Sequence, residues 1–397
     1  MHYKYLLDIA LILLFTKFLG LVFQRLRMPQ VAGSLIAGLL LGPAVLGLVV
    51  ETPFLETTAS LGVILLMFIA GMETDINELK SCGKASTIIA VAGVLLPLAG
   101  GYFVGTCFFP NALTIENIFL GIILTATSVS ITVETLREMG KLRGPVGSAI
   151  LGAAIIDDVL GIVALTIVTS FSTPDVKVGI VLLKIVLFFV FAIFAGLGFA
   201  RFFRWWTSQS EENRTEYVIL AFVFCLLFSF MAEYFFGVTD ITGAFMAGLM
   251  ISNTMSAKHS LYMSASFEAV SFLYLAPVFF ASIGLKVVLE DMTSHIILFA
   301  VVLTVAAVLS KLIGCGLGAR VTGFDTKQSI QIGVGMVSRG EVALIVAAKG
   351  ADLGLVSAGL FGPIIVVVVI TTIITPILLK LAFQERVPSR ITMHPTL

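Results

Sequence analysis

Charge is what this chain has least of: Asp, Glu, Lys and Arg supply only 12% of its 397 residues, and no polar stretch of domain length separates the apolar runs. A soluble catalytic or regulatory domain of ordinary size is therefore excluded. The 24 acidic and 24 basic residues cancel, which argues against a nucleic-acid partner. Cysteine is equally scarce. Cys82, Cys107, Cys225 and Cys315 fall at or within apolar runs without metal-ligand spacing, so they read as small apolar side chains rather than zinc ligands or disulfide partners. None of the four histidines, His2, His259, His295 and His394, falls at the centre of an apolar run, which rules out a buried imidazole relay. No nucleophile or cofactor motif appears outside these runs. The chain does not read as an enzyme, and no cofactor is expected.

What is there is hydrophobic: 58% of the residues, with a mean hydropathy of +1.09. That composition predicts an all-α polytopic membrane protein. Apolar runs broken by charged or Gly/Pro residues give about thirteen spans, at 4–25, 30–48, 57–72, 84–109, 115–137, 144–171, 177–206, 214–236, 239–253, 264–285, 293–321, 327–349 and 356–383. The opening MHYKYLLDIALILLF carries Asp8, is followed by Lys17, and lacks a small-x-small cleavage site, so it reads as a first helix and not a signal peptide. Lys and Arg are asymmetric. Arg25, Arg27, Lys80, Lys141, Arg143, Arg201, Arg320 and Lys380 are among sixteen at one end of the spans, against Lys4, Lys177, Lys286 and Lys349 at the other. The positive-inside rule then places the N-terminus outside and the C-terminus in the cytoplasm.

Within this apolar background the sixth span, Gly144 to Phe171, carries two adjacent aspartates at its middle, Asp157 and Asp158. One aspartate at the bilayer centre costs about 2.5–3.5 kcal/mol, so two in succession must face protein, water or an ion. Neighbouring helical positions are rotated by roughly 100°, which gives the two carboxylates different partners. Lys311 lies ten residues from the basic end of the eleventh span, about 15 Å at 1.5 Å per residue and beyond snorkelling reach. The carboxylates available at that depth are Asp157 and Asp158, which predicts an ion pair between the sixth and eleventh helices.

Two spans have poor helix composition at mid-membrane. The fifth contains TATSVSITVET (Thr125 to Thr135), and the twelfth contains IGVGMVSRGEVAL (Ile332 to Leu344), with three glycines, Arg339 and Glu341. Both read as interrupted helices. They occupy matching positions in two halves, about 4–171 and 214–383, and an odd linking helix, 177–206, makes the halves inverted repeats. Paired interruptions of that kind point to a transporter site. Half-helix ends carry partial charges of about half an elementary unit, which Glu134, Arg339 and Glu341 are placed to compensate. Glu73, Asp75 and Glu78 form either an acidic mouth that concentrates cations or a solvated loop.

Leu124 to Val163, LTATSVSITVETLREMGKLRGPVGSAILGAAIIDDVLGIV, together with Lys311 and GMVSRGEVALIVA (Gly335 to Ala347), resembles the monovalent cation:proton antiporters, most closely the bacterial NapA-type Na+/H+ antiporters. MPQVAGSLIAGLLLGP (Met28 to Pro43) and LGVILLMFIAGMETD (Leu61 to Asp75) resemble that family's second and third helices. The resemblance spans essentially the whole chain. It implies an NhaA/NapA-like fold in which a six-helix core containing the crossed interrupted helices moves against a dimerisation domain. By similarity, Asp158 is the main carrier of cation and proton, Asp157 pairs with Lys311 and is itself a candidate Na+ ligand, and oxygens near Thr127 and Ser128 complete the Na+ shell. It also implies a homodimer, and Asp157 in place of asparagine favours electrogenic exchange. The cytoplasmic nucleotide-binding domain of related potassium systems is absent from a chain ending at Leu397, leaving 1–397 as a single membrane domain.

Chemically, a desolvated carboxylate holds a proton tightly and a bound Na+ or Li+ displaces it, so the two compete for Asp158. If cation binding disrupts the Asp157–Lys311 pair, Lys311 supplies a second proton. Hard oxygen donors suit an alkali cation. A K+ or broad K+(Na+)/H+ antiporter is the alternative, and a sodium-coupled organic-anion symporter a more remote one, with no obvious use for Lys311 opposite two aspartates.

Overall fold

The computed structural model describes residues 3–172, 178–207, 214–252, 257–287, 293–352, 354–356 and 358–384. Among them all regular structure is helical. The chain runs through α1 (Lys4–Arg25), α2 (Gln30–Leu41), α3 (Pro53–Glu73), the short α4 (Ile76–Ser81) and α5 (Gly83–Phe108). Next come the half-helices α6 (Thr114–Thr125) and α7 (Val129–Glu138), then α8 (Pro145–Ser172), α9 (Val178–Thr207), α10 (Arg214–Phe236) and α11 (Asp240–Ser252). A π-helical turn, Ser271–Leu275, joins α12 (Ala257–Val270) to α13 (Ala276–Leu285). α14 (Ser294–Val321), the half-helices α15 (Thr326–Gly335) and α16 (Glu341–Asp352), and α17 (Ala358–Phe383) complete the chain. Ten helical stretches are long and apolar enough to cross a membrane, with α6–α7 and α12–α13 each counted as one. Gln30–Leu41, Asp240–Ser252 and Val342–Ala351 are shorter apolar helices.

Several boundaries differ from those read in the sequence. The second span, expected over 30–48, is helical only to Leu41. Pro43 disfavours helical geometry at the residue before it, and Gly42 turns extended, with φ −73° and ψ 177°. α3 starts four residues earlier than expected because Thr52 caps it, its hydroxyl accepting the Leu55 N–H at 3.3 Å, and Pro53 opens the first turn. The tenth span also starts earlier, at Ala257, and is interrupted by a π-helical turn at Ser271–Leu275. Lys177, at the start of the expected linking helix, lies outside the described residues.

The helices pack in two groups. α5, α6, α8, α14, α15 and α17 form one, and α1, α2, α3, α10, α11 and α13 the other; α9 touches α8 of the first and both α10 and α11 of the second. Small residues set the closest approaches, as expected where lipid removes the hydrophobic drive between helices. Gly71 of α3 faces the Phe245 carbonyl of α11, and Gly248 of α11 faces the Phe68 carbonyl of α3, so a Cβ at either position collides with backbone. Gly248→Val should therefore cost about 1–3 kcal/mol or more through overpacking. The expected readout is a lowered melting temperature and loss of the monodisperse peak in detergent, whereas unchanged melting would show that the crossing yields.

Candidate ion-binding site

The two interruptions meet. α6 ends at Thr125, Ala126 turns extended, and α7 restarts at Val129; α15 ends at Gly335 and α16 restarts at Glu341. Backbone groups freed at each break find partners at the other, as the absence of water in the bilayer core demands. The Ser128 N–H donates to the Ser338 carbonyl at 2.8 Å, and the Ser338 hydroxyl returns a bond to the Ser128 carbonyl at 2.7 Å. The Thr132 hydroxyl donates to the Gly335 carbonyl at 2.7 Å.

Arg339 stands at this junction with no solvent exposure. Its guanidinium donates to the carbonyls of Val337 at 2.8 Å, Leu124 at 2.8 Å and Ala307 at 3.0 Å. Leu124 lies in the last turn of α6, so a fixed cation sits at the negative end of a half-helix, as compensation of the dipole requires. The Arg339 carbonyl accepts a short bond from the Thr372 hydroxyl of α17. Arg339→Lys keeps the charge but cannot reach three carbonyls; it should cost about 1–3 kcal/mol for groups left unpaired, measured as a lowered melting temperature.

Beside the junction, α8 brings in Asp157 and Asp158, 2% and 8% exposed. Lys311 of α14, fully buried, places its ammonium 2.8 Å from Asp157 Oδ1. Gly93 of α5 lets α14 approach closely: an added Cβ would collide with Cys315 Sγ at 2.5 Å, while Lys311 Nζ would lie at ordinary contact, 3.6 Å. Asp157 Oδ2 and the Thr127 hydroxyl lie near each other but not in hydrogen-bonding geometry, and both are buried without a protein partner. Ser128, also buried, pairs its hydroxyl with that of Ser130 at 3.2 Å. Asp158 accepts a hydrogen bond at 3.4 Å from the Thr242 hydroxyl of α11, a helix of the other group. The arrangement gathers two carboxylates, one of them paired with a buried ammonium, and the hydroxyls of Thr127, Ser128 and Thr242, a hard-oxygen environment in which cation and proton can replace each other.

Not every expected site residue is here. Glu134 lies well inside α7 rather than at its break, and its neighbour is Arg137 at 3.8 Å, so it does not compensate the half-helix end. Glu341 begins α16, and its side chain lies outside the described residues. Glu73, Asp75 and Glu78, read in the sequence as either an acidic mouth or a solvated loop, make structural contacts. Glu73 pairs with Arg137 at 3.0 Å, Asp75 caps α4 through the Asn77 N–H at 2.7 Å, and Glu78 accepts the Gly144 N–H and Ser148 hydroxyl, both at 3.1 Å, at the start of α8. Arg137 further reaches Glu268 of α12 at 2.7 Å and stacks over Phe272 of the π turn at 4.8 Å. Glu138 accepts the Gln30 N–H at the start of α2 at 2.7 Å. Glu73, Glu134, Arg137, Glu138 and Phe272 line a cavity of about 900 Å³ together with Lys17 of α1.

Interrupted helices crossing at a buried carboxylate–ammonium pair define a helical membrane transporter. The model of the family described as "Sodium/hydrogen exchanger, transmembrane" matches residues 10–384. The chain belongs to that family. It is 43% identical to the Na(+)/H(+)-K(+) antiporter GerN of Bacillus cereus over 97% of this chain and 98% of that one. It is 36% identical to an Na(+)/H(+) antiporter of Enterococcus hirae, covering 94% and 96%. Among solved structures, the sodium proton antiporter MjNhaP1 of Methanocaldococcus jannaschii shares the fold, with a TM-score of 0.67 at 18% identity over 94% of this chain and 95% of that one.

Proposed function

We propose that the protein exchanges Na+ or Li+ for protons by alternating access, with Asp158 carrying cation and proton in turn. The observation that supports this most directly is the placement of Asp158 next to an aspartate already paired with Lys311, at the crossing of the two interruptions. Asp157 is paired with the Lys311 ammonium, and Asp158 is assigned, by similarity to the family, as the carboxylate whose charge state changes with cargo. Thr127 and Ser128 add oxygens to the cation shell, and the unpartnered Thr127 hydroxyl is suited to that role. Release of the Asp157–Lys311 pair on cation binding would free a second proton and make exchange electrogenic. A homodimer in a bacterial inner membrane, the N-terminus outside, and inverted repeats over 4–171 and 214–383 joined by the helix at 177–206 complete the reading.

A second reading, in which K+ is also carried, is favoured by the 43% identity to a relative named for both Na+ and K+. The two are separated by proton flux in proteoliposomes, followed with an internal pH dye, on addition of Na+, Li+ or K+. Flux with Na+ and Li+ alone supports the first reading, and equal flux with K+ supports the second. Absence of flux with all three, across the pH range, would overturn both.

A further inference from the structure

A line of oxygens runs from the turn between α10 and α11 to the site. Gly237 closes α10 in the left-handed conformation, φ +67°, which a side chain rarely adopts. The next residues are Val238, Thr239, Asp240, Ile241 and Thr242. The Thr242 hydroxyl is buried and donates to Asp158 Oδ2 at 3.4 Å. The Thr239 hydroxyl, half-buried, lies 2.8 Å from that of Thr242 and also accepts the Thr242 N–H at 3.4 Å. Asp240 is half-buried, accepts the Ile241 N–H at 2.8 Å, and faces the exposed Glu233 of the last turn of α10. Glu233 is exposed, Asp240 and Thr239 are half-buried, and Thr242 and Asp158 are buried.

We propose that Thr242 is a positioning residue for Asp158, and that Asp240, Thr239 and Thr242 form the route by which cation and proton reach Asp158 from the face opposite the basic loops. The inference rests on the antiporter reading above. Each threonine hydroxyl both donates and accepts, so the Thr239–Thr242 pair can pass a proton in either direction and offer oxygen to a partly dehydrated cation, while Asp240 and Glu233 supply negative charge at the mouth. The two ends of the bundle differ in this conformation. At the basic face, Arg137 ties α7 to Glu73 of α3 and Glu268 of α12, and Glu138 ties it to the start of α2. At the other, the ladder leads to Asp158. Because Thr242 and Asp158 belong to different helix groups, their bond also breaks whenever one group moves past the other.

The test uses oriented proteoliposomes, with Na+ supplied at one face or the other, and compares KM and kcat for the unmodified protein and for Thr242→Val, Thr242→Ser and Asp240→Asn. Thr242→Val should raise KM for Na+ about threefold or more at the ladder face and less at the basic face, as expected for loss of one hydrogen bond to a charged group. Thr242→Ser, which keeps the hydroxyl, should restore it. Asp240→Asn should raise KM at the ladder face without lowering kcat. Equal changes at both faces, or equal impairment by Val and Ser, would overturn the proposal. Should Thr242→Val fail to fold, an Asp240→Asn KM unchanged at both faces overturns it by itself. Cation-driven flux missing from the unmodified protein would instead defeat the antiporter reading on which the proposal rests.

Discussion

Asp158→Asn should abolish Na+- and Li+-driven proton flux, lowering it by about a hundredfold or more, while leaving the protein folded. Asparagine keeps the size and an oxygen that can still accept from Thr242, so packing around α8 is conserved. What it loses is the negative charge for which a proton and a cation compete, and a neutral amide carries neither. The measurement is internal pH-dye fluorescence on cation addition, with the melting temperature as a fold control. Flux retained within a few-fold of the unmodified protein would place the carrier elsewhere, Asp157 being the nearest alternative.

The second large effect concerns stability. Lys311→Ala leaves the buried Asp157 carboxylate without its ammonium 2.8 Å away, and breaking one partner of a buried pair costs about 3–5 kcal/mol. Removing both charges should cost far less, because a buried ion pair repays its own desolvation only in part. Lys311→Met combined with Asp157→Asn is therefore expected to melt close to the unmodified protein, well above Lys311→Ala. The same double variant separates structure from transport. If Lys311 supplies a second proton, the double variant exchanges cations for protons without responding to an imposed membrane potential. If it responds as the unmodified protein does, Lys311 is only a brace.

How much of this was legible in the chain depends on how loudly each residue contrasts with its surroundings. Asp157, Asp158 and Lys311 stand out because a charge in the middle of an apolar run demands a partner, and depth alone narrowed Lys311 to those aspartates. Arg339 stood out for the same reason, and its role at the break followed from the dipole of a half-helix. Glu134 was placed from the break alone: it lies in the second turn of α7, beside Arg137 three residues on, a contact that any helix through both residues allows. Glu73, Asp75 and Glu78 stayed open, since a cluster of acidic residues between two helices looks the same whether it faces cations or caps its neighbours' backbone. Thr242 was silent. Hydroxyls are common in membrane helices, where they bond the preceding turn, as Thr166 and Thr304 do here. Its contact with Asp158 spans 84 residues and depends on where a short helix begins. The run Thr239-Asp240-Ile241-Thr242 after a glycine was the available signal.

The bridge from Arg137 to Glu73 and Glu268 has a consequence for kinetics. Its members are partly accessible, with side-chain exposures of 15%, 20% and 36%, so unlike the sealed pair at Lys311 it is open to screening by dissolved ions. Any step that separates α7 from α3 and α12 must first dissolve that bridge. An untransported salt such as choline chloride weakens it without touching the carboxylates of the site. Turnover at saturating Na+ should then rise with the ionic strength at that face. Turnover unchanged by choline chloride would show that this bridge stays closed through the rate-limiting step.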